Sequence, residues 1–217
     1  MAEIHSYVQP PSLYRYRSLK HLERELNAIK QGYLYCSPYM NLNDPMEGIF
    51  SSSDGLRSSE NYRAVRDAIR DNKAQIGICS FSETRNHELM WAHYADQFSG
   101  ICIEYSFSRL LKNLPKDVSF IRMYYDERGP TVHRSSKTPK ELAKMVLSYK
   151  NYRWLYEREW RMFAAQGPIH YGATDCVARV YFGARISSDN RTQLENALSA
   201  LGISSKSMSI SKYLIKF

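Results

Sequence analysis

Alternation of apolar and polar side chains is clearest near the start of the chain. Ser12–Arg17 puts Leu13, Arg15 and Arg17 on one side of an extended segment and Tyr14 and Tyr16 on the other, which predicts a first strand. The period then lengthens: Leu22, Leu26 and Ile29 recur on one face of a helix predicted over 19–30, with Ser18 as N-cap and Gly32 as the stop. Residues 33–37 return to an extended pattern, Pro38 breaks it, and 41–45 is a turn whose Asx side chains satisfy their own backbone. Strands are predicted over 76–81, 101–105, 120–124, 177–182 and 209–215. Helices are predicted over 60–72, 87–95, from a Thr138 cap and Pro139 to about 152, and over 188–201 with Asp189 as a cap. Residues 51–59 and 126–138 read as mobile loops. The sum is a single α+β domain over 1–217, with a mixed, mostly antiparallel split sheet flanked by helices.

One stretch breaks the quiet pattern. Residues 154–163 hold two glutamates, two arginines and four aromatic rings. Read as extended, they project Glu157, Glu159 and Arg161 together, with Tyr156, Arg158, Trp160 and Met162 opposite. Charges crowded against rings are costly to dehydrate unless paired, so the segment is expected at the edge of a cleft. A helical reading competes, with Glu157 and Arg161 four apart as a solvated ion pair.

Charge changes the picture more than composition does. The formal net charge is +8, and residues 109–158 carry twelve Lys/Arg against five Asp/Glu. That concentration suits an anionic partner, whether nucleic acid, a nucleotide or an acidic protein; a solvated basic face would also produce it. The seventeen tyrosines can stack on bases, or simply fill half-buried positions. Four scattered cysteines form no C-x-x-C pair, so neither a zinc site nor a disulfide framework is expected, and a reducing, cytoplasmic setting is the default. Residues 1–11 lack the n- and h-regions of a signal peptide, and no apolar run is long enough to span a membrane.

No G-x-S-x-G, P-loop, G-x-G-x-x-G or H-E-x-x-H occurs, which weighs against the commonest hydrolase, kinase, dehydrogenase and zinc-protease chemistries. A metal-dependent nuclease would draw on Asp44, Glu47, Glu83, Glu104, Glu157 and Glu159, together with His93. Arg15 and Arg17 offer guanidinium forks suited to a phosphate or ribose edge, or they are ordinary edge-strand arginines. Ser80 and Ser82 set two hydroxyls on one face at a strand end, where they orient a ligand or carboxylate, or cap the following turn. His93 is an acid/base candidate or a hydrogen-bonded, half-buried imidazole, with Trp91 and Tyr94 core-facing on its helix.

The order of several short pieces resembles bacterial domain-of-unknown-function family 2971. They are Leu13-Tyr14-Arg15-Tyr16-Arg17-Ser18, Gly32-x-Leu34-Tyr35-x-Ser37-Pro38, Asn43-Asp44-Pro45, Cys79-Ser80-Phe81-Ser82-Glu83, Met90-Trp91-x-His93-Tyr94, Gly100-x-x-x-Glu104-Tyr105 and Tyr156-Glu157-x-Glu159-x-Arg161. They span about residues 13–183. More distantly, an arginine on the first strand, a mid-chain Ser-x-Ser and a late Glu-x-Glu resemble the mono-ADP-ribosyltransferases, although Ser-Phe-Ser replaces the usual Ser-Thr-Ser. That resemblance implies their fold and NAD as co-substrate. It implies Glu159 as stabiliser of the ribosyl cation, Glu157 as orienter of the acceptor, and Arg15 or Arg17 on the NAD phosphates or ribose. It also implies Ser80 or Ser82 bracing the glutamate, Tyr35 stacking on nicotinamide, and Ser37 and Tyr94 lining the cofactor site. The expected activity is transfer of ADP-ribose to nucleic acid (RNA or DNA) or protein, by a toxin or phage-defence effector with an antitoxin or immunity partner. The alternatives are the nuclease and a non-catalytic nucleic-acid-binding module.

Overall fold

The computed structural model describes residues 9–172 and 174–217. The expectation for residues 1–11 therefore falls mostly outside the described residues. In chain order the elements are β1 (Ser12–Arg17), α1 (Leu22–Gln31), β2 (Tyr33–Pro38), β3 (Ser51–Ser52), α2 (Asp54–Arg57), α3 (Tyr62–Gln75), β4 (Gly77–Ser82), α4 (Glu88–Tyr94), β5 (Ile101–Ser106) and α5 (Phe107–Asn113). There follow β6 (Ser119–Arg122), β7 (Tyr124–Asp126), β8 (Thr131–Val132), α6 (Pro139–Val146), β9 (Tyr149–Asn151), β10 (Glu159–Ala164) and β11 (Gly167–His170). The chain closes with β12 (Val177–Phe182), α7 (Ser188–Ala200), β13 (Ser204–Ser207), β14 (Ser209–Ser211) and β15 (Leu214–Lys216). This is a mixed α/β architecture with mostly antiparallel pairing flanked by helices. Its contacts gather into two compact units. One takes the segment ending at Gly32 with Ser82–Leu114 and Tyr171–Phe217; the other takes Tyr33–Phe81 and Pro115–His170.

In the first unit β1 lies antiparallel to β5 along its whole length, from Ser12 opposite Ser106 to Arg17 opposite Ile101. β12 borders β5 antiparallel, with a bulge between Val177 and Arg179, and β13 lies parallel to β12. Ile101, Cys102 and Ile103 of β5 are all buried, as expected of a strand covered on both faces. Two glycines let main chains pass closely here. A β-carbon at Gly100 would collide with the carbonyls of Arg17 and Ala95, and one at Gly183 with that of Phe98. Just upstream, Asp96, Gln97 and Phe98 all take left-handed backbone, with φ of 48°, 54° and 72°. Each such residue costs about 1 kcal/mol, and the turn is held by Gln97 N–H donating to Ala92 O, Phe98 N–H donating to Trp91 O, and the Phe98 ring stacked on Trp91.

In the second unit β2 is antiparallel to β4 at Ser37 and Ile78, and β11 flanks β2 from Gly167 opposite Cys36 to His170 opposite Tyr33. β10 pairs with β4 and, antiparallel, with β6. Two short parallel pairs, β3 with β8 and β7 with β9, complete it. Ile69 of α3, Leu142 and Val146 of α6, and Ile78 and Phe163 of the strands close one apolar core. Each buried aliphatic or aromatic side chain there contributes roughly 1.5–3 kcal/mol as an upper estimate.

Several boundaries differ from the sequence expectation, each for a local reason. α1 starts at Leu22 because Ser18 Oγ accepts from Lys20 N–H and builds a turn instead of capping the helix; Gly32 does end it, at φ 63°. Residues 51–59 are not a bare loop: they hold β3 and α2, the latter capped by the Ser53 hydroxyl on Leu56 N–H. Residues 126–138 likewise contain β8. α6 has the expected Thr138 cap, reciprocated by Glu141, but stops at Val146, and the chain turns out into β9. The cap of α7 is Ser187, not Asp189. The strand expected over 209–215 is a hairpin, β14 and β15, turned by Lys212 and Tyr213 at φ 51° and 59°. α5, β11 and β13 had no counterpart among the expected elements.

Candidate functional site

The sequence 154–163 is not one extended segment. Tyr152–Glu157 coils as a 3-10 helix, Arg158 takes left-handed backbone at φ 44°, and β10 begins at Glu159. This turn cancels the alternation that was to align Glu157 with Glu159, yet the two carboxylates still converge, because both reach the ammonium of Lys150 on β9. Lys150 Nζ lies 2.5 Å from Glu157 Oε2, 3.0 Å from Glu159 Oε2 and 3.5 Å from Glu47 Oε1. Arg161, on β10, donates from Nε to Glu159 Oε1 at 2.7 Å, from Nη2 to Glu47 Oε1 at 2.6 Å and from Nη1 to Leu147 O at 2.7 Å. The Ser80 hydroxyl of β4 hydrogen-bonds Glu159, and the Glu159 backbone N–H donates to Tyr125 Oη at 2.8 Å. Glu47, Glu157, Glu159 and Arg161 are buried, Glu159 to 3% exposure, while Lys150, Ser80 and Tyr125 are half-buried.

Its electrostatics follow from that burial. Desolvation alone would raise the carboxyl of Glu159, but the charges of Arg161 and Lys150, with hydrogen bonds from Arg161 and Ser80, outweigh it and hold the group down at about 2. Burial would lower Lys150, and Glu159 and Glu157 overcome it, so the ammonium stays charged. Burial and the neighbouring Glu159 charge push the Tyr125 phenol up. The arrangement is thus an ionised carboxylate, fixed in direction from three sides. Beside Glu47 and Lys150 opens a hollow of about 160 Å³, also lined by Asp44, Tyr149 and Asn151. It falls short of the 300–1,000 Å³ usual for a pocket that encloses a cofactor-sized ligand. Among the described residues, no three His, Cys, Asp or Glu side chains are grouped to hold a metal ion.

Tyr35 and Ser37 lie on β2 in the second unit, with Tyr35 55% exposed and so open to stacking. Arg15, Arg17, Ser82, His93 and Tyr94 belong to the first unit. Arg17 is committed within it: Nε and Nη2 form a two-pronged pair with Glu25 of α1 at 2.7 and 2.6 Å. Burial raises the Glu25 carboxyl, and Arg17 more than reverses the shift. Ser82, nearly inaccessible, accepts from Thr84 N–H and shapes the turn after β4, so the two serines part company. His93 is exposed on α4 with its ring against Tyr94, while Trp91 is the buried member of that helix and Tyr94 only half-buried.

The first unit has a polar centre of its own around Glu104, which the sequence offered only as a nuclease carboxylate and a motif residue, without its hydroxyl partners. Glu104 of β5 accepts from Ser12 Oγ at 2.8 Å and Tyr181 Oη at 2.7 Å, and Tyr14 Oη lies 3.4 Å away. Arg85 donates to Tyr14 Oη and stands over the rings of Tyr181 and Phe217. Burial, then Glu104, pushes the Tyr181 phenol up to about 12. In the second unit the main omission was Lys150. A buried Glu-x-Glu demands a cation, but Arg153 and Arg158 stand as near in sequence, and nothing local selected Lys150.

No curated protein and no solved structure matches the chain. No helix among the described residues is long and apolar enough to cross a membrane. The model of a family described as Protein of unknown function (DUF2971) matches residues 90–162, a shorter stretch than the 13–183 expected from the sequence; it contains His93, Tyr94, Glu157 and Glu159, and ends within β10.

Proposed function

We propose that the protein is an ADP-ribosyltransferase, using NAD as co-substrate and passing ADP-ribose to a macromolecular acceptor, nucleic acid or protein. One observation carries the reading: Glu159 is ionised, oriented by Arg161 and Lys150, and braced by Ser80, with Glu157 on the same ammonium. Breaking the nicotinamide–ribose bond develops positive charge on the sugar, and a pre-oriented carboxylate stabilises such charge without reorganising. Glu159 would supply that charge and Glu157 would orient the acceptor. Lys150 holds both carboxylates in register until a cationic sugar competes for them. The small hollow beside Glu47 does not enclose a dinucleotide. A role as toxin or phage-defence effector goes with this reading.

The test is incubation of the purified chain with labelled NAD and RNA, DNA or lysate. Nicotinamide release and label transfer are expected, falling by at least a hundredfold in Glu159→Gln while the circular dichroism spectrum is retained. Absence of both with every acceptor would overturn the reading. The closed ion pairing of Glu159 favours a second reading, a non-catalytic nucleic-acid-binding module. That module would bind with steep salt dependence and be indifferent to Glu159→Gln.

A further inference from the structure

The second unit carries another hollow, of about 390 Å³, whose wall is dominated by cations: Arg57 of α2 and Arg66, Arg70 and Lys73 of α3, with the rings of Tyr62 and Phe50. The spacing explains the grouping. Tyr62, Arg66, Arg70 and Lys73 follow one another at intervals of four, four and three residues, which places them in one row along the helix. Like charges at such intervals repel, by a few tenths of a kcal/mol per pair, so the row brings the helix no stability of its own. Asp67 offsets part of the charge, 2.9 Å from Arg66 Nη2 and 3.9 Å from Arg70 Nη1. Among the described residues, neither Arg57 nor Lys73 has a carboxylate within ion-pair distance.

Lys73 is the telling residue. It is 5% exposed, its ammonium donates to Gly48 O, and it sits 5.0 and 5.3 Å from the ring centres of Tyr39 and Phe50. Burial, then the charge of Arg70, draws its pKa down. A dehydrated ammonium held by one carbonyl and two rings, with no anion beside it, is unfavourable until a counter-charge arrives. Arginine forks match phosphate oxygens in two-pronged fashion, and lysine adds a point charge. From Arg66 to Lys73 the row runs about 10 Å along the helix axis, at 1.5 Å per residue, longer than one phosphate bridges. The volume lies within the 300–1,000 Å³ range of small-ligand pockets, and Tyr62 presents an aromatic wall.

We infer that this hollow binds the diphosphate group of a nucleotide. The site stands apart from the transferase reading, and either can fail without the other. Calorimetric titration of the full chain at low salt tests it with four probes: inorganic pyrophosphate, ADP, adenosine and a single-stranded oligonucleotide. Pyrophosphate and ADP bind and adenosine does not. The double variant Arg57→Gln/Arg70→Gln, altered at two exposed positions, weakens ADP binding at least tenfold at unchanged melting temperature, and Lys73→Met weakens it as well. Silence with both pyrophosphate and ADP would overturn the inference, as would affinity unaltered in the double variant. Oligonucleotide binding that neither pyrophosphate nor ADP displaces would overturn it too, assigning the surface to a nucleic-acid backbone instead.

Discussion

Each unit organises itself around a buried or half-buried glutamate on a strand, and the two solve the same problem differently. Glu104 in the first unit is met by hydroxyls, from Ser12, Tyr14 and Tyr181, with Arg85 one layer out on the Tyr14 hydroxyl. Glu159 in the second is met directly by a guanidinium and an ammonium. Neutral donors satisfy a carboxylate whether or not it keeps its charge, whereas an ion cluster in low dielectric is all or none: complete it is tolerable, broken it leaves bare charge. The first arrangement is a packing solution that uses polar atoms. The second commits the unit to keeping five charged groups in place, a stronger statement about what the site must hold still.

The sharpest way to break that contrast is Arg161→Met, which leaves buried Glu47 and Glu159 to share the single ammonium of Lys150. A loss of about 3–5 kcal/mol in urea unfolding is expected. A loss below about 1 kcal/mol would mean the cluster is far wetter than its burial implies.

Acid comes next. The folded-state pKa of Glu159 is held below the ordinary 4.5, so the folded protein binds fewer protons than the unfolded chain. The stabilisation is complete above about 4.5 and drains away as the pH falls toward about 2. A gap of that size corresponds to roughly 3 kcal/mol. Unfolding free energy measured across that range should slope downward with acid, and the slope should flatten in Glu159→Gln.

The smallest effect belongs to the first unit. Glu104→Gln keeps the shape and part of the hydrogen bonding, and should cost about 1–2 kcal/mol. A loss matching that of Arg161→Met would erase the distinction between the two centres.

Much of the scaffold was legible because it is written locally. β1 and β12 lie where their patterns placed them, and Thr138-Pro139 and Gly32 mark helix ends by chemistry carried in adjacent residues. The failures are equally physical. Arg158 turns left-handed without being glycine, so nothing announced the break between the 3-10 helix and β10, and alternation was read through it. α5 starts at Phe107 directly after β5, which ends at the cap residue Ser106, so no intervening turn marked the change of element. The Glu-x-Glu pair stood out in the sequence, but Glu47, which shares Arg161 with Glu159, is 114 residues from that arginine, a meeting that only the folded chain arranges.

Gly100 and Gly183 bear on how any mutational survey of this chain is interpreted. A β-carbon at either would drive into a neighbouring carbonyl, so even alanine forces main chains apart beside the left-handed turn at 96–98. Saturation mutagenesis would therefore go dark at these two sites whatever reaction is assayed. That intolerance records steric crowding, and an abundance readout run alongside the activity screen would separate it from true loss of chemistry.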